Sequence, residues 1–481
     1  MSTFGALNTA YRGLTAAQQG MNVAGQNIAN AATEGYTRQR VEQSSLAAPA
    51  RGLFSGGALQ PGQGVSVDAI ARLGNTFLDG SVRSAGAQAG YANVRSSALQ
   101  GIEGVLQEPG DNGISTSLQQ FWSAWQGAAN QPAEDGPKGL LLNATNSVTD
   151  KISSAYQTLQ GQWSGVRAQA ADAVDAVNAA ATQVAAYNAT IRSTVAAGGS
   201  ANELIDARAK LTETISRLAG GTVREQADGT VEVHVGGNAL VMGTSVRALE
   251  LSGSQAGDAL GSTVQLLWKD TKSAAAPDGG EIAGALSVLA PAATAPSTPG
   301  SGGAIAEAAE SFNNFATALA KSVNDVHKNG QLPNDALGNP GATGQDFFTF
   351  SGTGPAALSI KSPATTGGIA LKTSGQGALD TSIADKISQL GTGAGSPDKV
   401  WSGIVTGIGV QSRGAQQHEA LSSAARASAL TSRASQASVS LDEENVNLLT
   451  NQHAYQAAAR VMTAVDEALD VLINRTGLVG R

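Results

Sequence analysis

FGALNTAYRGLTAAQQGMNVAGQNI, residues 4–28, repeats Leu7, Leu14, Met21 and Ile28 every seven positions, with Phe4 and Tyr11 in the complementary place. Apolar residues at this spacing mark a helix that packs along a narrow seam against another helix. The seam falters at Gln18 and Gly25, and Gly5, Gly13, Gly20 and Gly25 each weaken an isolated helix by about 1 kcal/mol relative to Ala. Such a helix needs a partner surface. The far end of the chain offers one: Leu441, Leu448, Tyr455, Met462 and Leu469 recur at sevens, with Ala458, Val465 and Leu472 as companions. Ser440 stands as N-cap before Asp442, Glu443 and Glu444, where carboxylates favour the positive end of the helix dipole. The simplest partner for one end is the other.

Between these ends the pattern changes twice. Residues 85–108 and 115–220 read as long helices, with an Ala-rich run over 168–191 and a break at Gly198 and Gly199. Near residue 222 the period becomes two, because Val231, Val233 and Val235 alternate with Glu232 and His234 just after Asp228-Gly229, a hairpin signature. The expected division is 1–60 (N-terminal heptad helix), 61–221 (mainly helical), 222–303 (β-rich), 304–334 (returning helix), 335–396 (β-rich or loop), 397–440 (helical) and 441–481 (C-terminal heptad helix). The fold class is α+β multidomain: a coiled-coil stem formed by both termini, with β-rich middle modules inserted.

Composition narrows the chemistry. The 481 residues include no Cys, which excludes disulfides, thiolate metal ligands and Cys nucleophiles. Net charge is −8 without a long Lys/Arg cluster, so no nucleic acid partner is expected. The chain shows neither a basic start followed by an apolar core nor about 18 uninterrupted apolar residues, so no membrane insertion is expected. His234, His327, His418 and His453 are scattered and form no H-E-x-x-H. GTGAGS (391–396) and GIGVQS (407–412) begin as G-x-G but do not complete a phosphate loop, and no G-x-S-x-G occurs. Trp122 and Trp125, three apart beside Phe121 and Leu118, read as a helical core face rather than a carbohydrate platform. Catalytic, cofactor and metal sites are all expected to be absent, and the chain is expected not to be an enzyme.

AGQNIANAATEGYTRQR (24–40) resembles the N-terminal signature of the flagellar rod, hook and hook-associated proteins, through Asn27, Ile28, Ala29, Asn30, Thr33, Gly35, Tyr36 and Arg38. Ala32 and Glu34 depart from the Asn and Pro frequent at those places in the family. SVSLDEENVNLLTNQHAYQAAARVMTAVDEALDVLIN (438–474) is similar to the C-terminal end of its hook-associated members, through Leu441, Asp442, Glu443 and Glu444, then Asn447, Leu448, Gln452, Tyr455 and Leu469. FWSAWQGAANQP (121–132), NELIDARAKLTETISRLAG (202–220), DGTVEVHVGGNALVMG (228–243) and FNNFATALAKSVNDVHKNG (312–330) have the same character. The resemblance implies a secreted structural subunit that joins hook to filament after type III export and is located on the flagellum at that junction. Implied partners are copies of itself, the hook protein, the second junction protein, a cytoplasmic export chaperone and the filament cap. On this reading residues 1–30 and 441–475 form an antiparallel coiled coil, an assembly seam in which Phe4, Leu7, Tyr11, Leu14, Met21 and Ile28 face Leu448, Tyr455, Met462, Val465, Leu469 and Leu472. Within the family, flagellin and the second junction protein are the alternatives. Outside it stand a filament subunit with an embedded hydrolase and a secreted adhesin on a helical stalk.

Overall fold

A computed structural model describes residues 3–47, 62–254, 260–293, 301–334, 337–471 and 473. The chain enters through helix α1 (Thr3–Ala29) and an antiparallel hairpin, β1 (Gln39–Ser45) and β2 (Val65–Arg72). Four helices follow: α2 (Thr76–Leu106), α3 (Ile114–Asn130), α4 (Asp135–Ala196) and α5 (Asn202–Ala219). Asn75 starts α2 by accepting from the amides of Phe77 and Leu78 at 3.0 and 3.3 Å, the N-cap chemistry its short side chain allows. At 62 residues α4 is about 93 Å long at 1.5 Å per residue, and it threads both hydrophobic cores.

The first core is helical and aromatic. Leu118, Phe121 and Trp125 from α3 meet Leu141, Val148, Ile152, Leu159 and Trp163 from α4, all fully buried. The second is built on the C-terminal half of α4, where Val174, Val177, Ala181 and Val184 cover a small β module. That module comprises β3 (Thr222–Glu225), β4 (Val231–Val235), β5 (Asn238–Met242) and β6 (Ser245–Val246) as one antiparallel meander, then the pair β7 (Leu249–Leu251) and β8 (Leu266–Trp268). In β4, Val231, Val233 and Val235 point inward and Glu232 and His234 outward, as alternation requires. Its turn is set by Asp228, whose carboxylate accepts from the Thr230 amide at 3.0 Å.

Next comes α6 (Gly280–Leu289), a helix within the 222–303 stretch whose sequence pattern predicts a β-rich module. A ten-residue apolar run is ambiguous by period alone, and here Ile282, Ala285, Val288 and Leu289 bury a helical face against both cores. The second half contains α7 (Ala304–His327), β9 (Gly330–Gln331), β10 (Thr349–Phe350), α8 (Ala356–Ser359), β11 (Ile360–Lys361), β12 (Lys372–Thr373), α9 (Ser382–Ser388), α10 (Pro397–Ala437) and α11 (Leu441–Asp470). Helix α10 returns antiparallel along α2, with Ser412 donating to Glu103 at 2.6 Å and Asn75 to Gln436 at 3.2 Å. Its Trp401 is fully buried against Phe312 and Phe315 and donates to Glu108 at 2.9 Å. Ser440 then caps α11 by accepting from the Glu443 amide at 3.4 Å.

Candidate functional site at the stem joint

The terminal helices α1 and α11 pack antiparallel, because Gly13 lies beside Ala458, Gly20 beside Asn451 and Asn27 beside Glu444. Each step of seven along one helix is a step of seven back along the other. The buried residues of α1 are Ala10, Ala16, Ala17, Gly20, Val23, Ala24 and Asn27, so its line of closest approach is made of small side chains. A Cβ at Gly20 would overlap the Asn451 side-chain amide, which shows how near the two helices come. The larger residues chosen from the heptad lie one position later in each turn. Leu7, Leu14, Met21 and Ile28 are half-buried flanks, while Phe4 and Tyr11 are 70% and 57% exposed. On α11, Leu448, Tyr455, Met462, Val465 and Leu469 are half-buried along the line that carries Glu444, Asn451 and Ala458. Leu472 lies outside the described residues.

A polar joint closes the base of this stem. Asn27, 1% exposed, donates to the Gln39 carbonyl at 2.9 Å and to Glu444 Oε2 at 3.0 Å, while its Oδ1 accepts from the Gln39 amide at 3.0 Å and the Tyr36 hydroxyl at 2.8 Å. Every bonding site of one buried amide is thus used to tie α1, β1 and α11 together. Arg38 forks onto two carboxylates, Nε to Glu444 and Nη1 to Glu443, both at 2.7 Å, and its amide donates to the Ala437 carbonyl at 3.0 Å. The chain reaches this position through a turn in which Thr33 donates to Asn30 Oδ1 at 3.3 Å. Gly35 takes φ +84°, a left-handed conformation that side chains rarely adopt. Burial, with Glu203, Asp206 and Glu444 nearby, pushes the Tyr36 phenol up to about 12. Leu441 and Asp442 are exposed at the start of α11.

The structure thus brings Asn27, Tyr36, Arg38, Glu443 and Glu444 into one network; Asn30, Thr33 and Gly35 shape the turn behind it. Sequence reasoning missed the half of the joint that comes from the body. Asp206 of α5 accepts from the Thr37 amide at 2.9 Å and from Arg72 Nε at 2.5 Å. Glu203 accepts from Gln39 at 3.0 Å, and Asn202 donates to the Gln39 side chain at 3.1 Å and the Ile70 carbonyl at 2.8 Å. Asp79 lies 3.7 Å from Arg72 and 3.6 Å from Arg433, which also pairs with Glu213. The available signal was the spacing of Asn202, Glu203 and Asp206 on one helical turn, but their partners lie more than 130 residues away in sequence.

This arrangement fixes the directions in which α1, β1, α5 and α11 leave the joint. Around it lie two clefts of about 380 and 290 Å³, the first lined by Arg38, Gln39, Arg40, Glu444 and Asn451, the second by Tyr36, Arg72, Asp79, Asp206 and Arg433. Among the described residues no three His, Asp or Glu side chains converge as a metal site, and no helix is long and apolar enough to cross a membrane. Trp122 and Trp125 are buried in the aromatic core, where an external sugar has no access.

Comparison with known proteins gives this geometry a context. A family description of the flagellar hook-associated protein FlgK helical domain matches residues 99–348, one of the flagellar basal body rod FlgEFG protein C-terminal region matches 433–475, and one of the flagella basal body rod protein matches 7–37. The chain is 29% identical to flagellar hook-associated protein 1 of Bacillus subtilis (strain 168) over the full length of both. Its match to the protein of the same name from Salmonella typhimurium is 30% identical and covers 50% of this chain and 43% of that one. In fold it is similar to the flagellar hook junction protein FlgK from Burkholderia pseudomallei, with a TM-score of 0.58 and 15% identity over 75% of this chain and all of that one.

Proposed function

The chain belongs to the flagellar hook-associated protein FlgK family, and from this premise we propose that it joins hook to filament by polymerising through its paired terminal helices. It is a structural, hook-associated component of the flagellum. The observation that supports assembly through the ends is the apolar surface left exposed on the stem: the line of Phe4 and Tyr11 on α1, and Leu441, Val446, Leu449 and Val461 spread around α11, each at least half exposed. Apolar side chains left uncovered on a helix pair suit burial against a neighbouring axial subunit. Leu7, Leu14, Met21 and Ile28 flank this line and complete the assembly seam with Leu448, Tyr455, Met462, Val465, Leu469 and Leu472. Residues 1–60 and 441–481 act as the inner stem, and the segments between them as the outer body.

Export follows from the same physics. A chain without Cys carries no crosslink, and a terminal helix α1 weakened by Gly13, Gly20 and Gly25 is marginal until a partner covers it. We place the protein outside the cell after unfolded type III export, next to hook protein on one side and the second junction protein on the other. An export chaperone would cover the α11 stripe beforehand, and the filament cap would guide assembly. The test is an in-frame deletion with complementation, inspected by negative-stain electron microscopy while flagellin is assayed in the medium. Bare hooks with flagellin lost to the medium are expected; intact working flagella would overturn the junction role.

A further inference from the structure

We infer that His327 is an acid-released clamp holding the 369–373 segment onto the end of α7. The imidazole is 0% exposed, and both of its nitrogens are committed. Nδ1 lies 2.8 Å from the Gln345 carbonyl, which can only accept, so Nδ1 carries the proton. Nε2 lies 2.9 Å from the Ala370 amide, which can only donate, so Nε2 must be bare. This one tautomer satisfies both strands of chain passing the helix end. A second proton on Nε2 would set two N–H donors against each other in a fully buried site, leaving the Ala370 amide buried and unpaired.

The surroundings give the doubly protonated ring little support. From α3 the neighbour is Trp125, with ring centroids 6.3 Å apart, and from the 343–348 segment it is Phe347 at 5.4 Å. The charged groups nearest in the chain are Lys328, which pairs with Asp346 at 3.0 Å, and Asp325, which pairs with Lys321 at 2.6 Å. On α9, Asp385 is bound by Gln126 and Thr381, and Lys386 acts on Asp380. Burial accordingly holds the imidazole below its ordinary value, with the Gln345 carbonyl and Asp346 acting in the opposite sense.

The sign follows from linkage. The open segment takes up a proton at the ordinary histidine value, about 6.5, and the closed one only at lower pH. Closure is therefore complete above about pH 6.5 and weakens as pH falls below it. Asn324 should limit the opening. It holds the neighbouring segment by donating to the Phe348 carbonyl at 2.8 Å and accepting from the Phe347 and Phe348 amides at 2.9 Å, and none of these groups titrates.

Hydrogen exchange on the intact chain, corrected for the intrinsic pH dependence of exchange, tests the clamp. Between pH 6.5 and 5, protection of a peptide spanning Ala370 should fall by up to about tenfold per pH unit, the limit for one proton. Peptides covering 231–235 should hold. His327→Gln can still donate to Gln345 and accept from Ala370 but cannot titrate, so its profile should be flat. An equal fall in the variant, or no fall in the wild type, overturns the clamp. Should the variant not fold, the His327 ring proton is followed by NMR in the wild type: titration at about 6.5 with Ala370 still protected would equally overturn it.

Discussion

The stem pair and the aromatic body are both helical, yet opposite kinds of side chain hold them together. In the body, Phe121, Trp125, Phe347 and Phe348 pack with ring centroids 5.0–6.3 Å apart, and Phe312 and Phe315 enclose Trp401. That core removes large apolar area from water within a single chain and needs no neighbour. In the stem, Ala10, Gly20 and Ala24 remove little area, and the larger residues around them stay partly in water. Direction there comes from the Asn27–Arg38–Glu444 network. One region is thus built to be stable alone, the other to be aimed correctly and completed by something else.

Breaking the body should give the largest effect. Trp125→Ala removes a fully buried indole from the centre of the cluster and should cost about 3–5 kcal/mol, read as a lower urea midpoint for the whole body. A variant whose midpoint stayed within error would mean that the cluster is not the body's main support. Glu444→Ala sharpens the other side of the comparison. It strips Arg38 Nε and one Asn27 N–H of their acceptor at a carboxylate that is 3% exposed, a loss of about 1.5–3 kcal/mol. Hydrogen exchange should show residues 437–455 opening while 114–163 keep their protection. If both regions loosened together, stem and body would form one cooperative unit.

Gly20→Leu probes the close approach directly. The substitution gains about 1 kcal/mol of helix propensity. It also forces the Asn451 side chain aside and overpacks the pair at a cost of about 1–3 kcal/mol. The expected outcome is a small net loss of helix, a body midpoint unchanged, and failure to polymerise because the two helices separate. Normal polymerisation would mean that the small-residue line tolerates bulk and that the stem is set by its flanks.

The sequence exposed some of this and hid the rest for identifiable reasons. Cap chemistry is local, so Ser440 before three acids marked the start of α11 correctly. The alternation around Val233 is equally local and matches β4. The register of α1 was misjudged because a heptad search favours large residues, whereas antiparallel helices in close contact place the smallest on the contact line; Gly13 and Gly20 read as weaknesses when they are the contact. The β1–β2 hairpin escaped notice because its strands, QRVEQSS and VSVDAIAR, are short, half-exposed and far apart in sequence. The body half of the joint left only the spacing of Asn202, Glu203 and Asp206 on one helical turn, without their partners. Asp206, Arg72 and Arg433 acquire their roles only through contacts that the folded chain creates.

The smallest expected effect separates the joint from both helical regions by pH. Tyr36 donates to Asn27 Oδ1, and its phenol, pushed up to about 12 by burial and then by Glu203, Asp206 and Glu444, ionises in the unfolded chain near 10. The unfolded state therefore loses this proton first as pH rises, so the contribution is complete below about pH 10 and disappears between about 10 and 12. Partial exposure of the ring keeps the effect modest. Tyr36→Phe removes it, so the difference in unfolding midpoint between wild type and variant should shrink across that interval, whereas Lys titration elsewhere affects both proteins alike. A difference that stayed constant from pH 9 to 12 would mean that Tyr36 supports the joint through its ring alone. The hydroxyl would then be dispensable to the network that aims the stem.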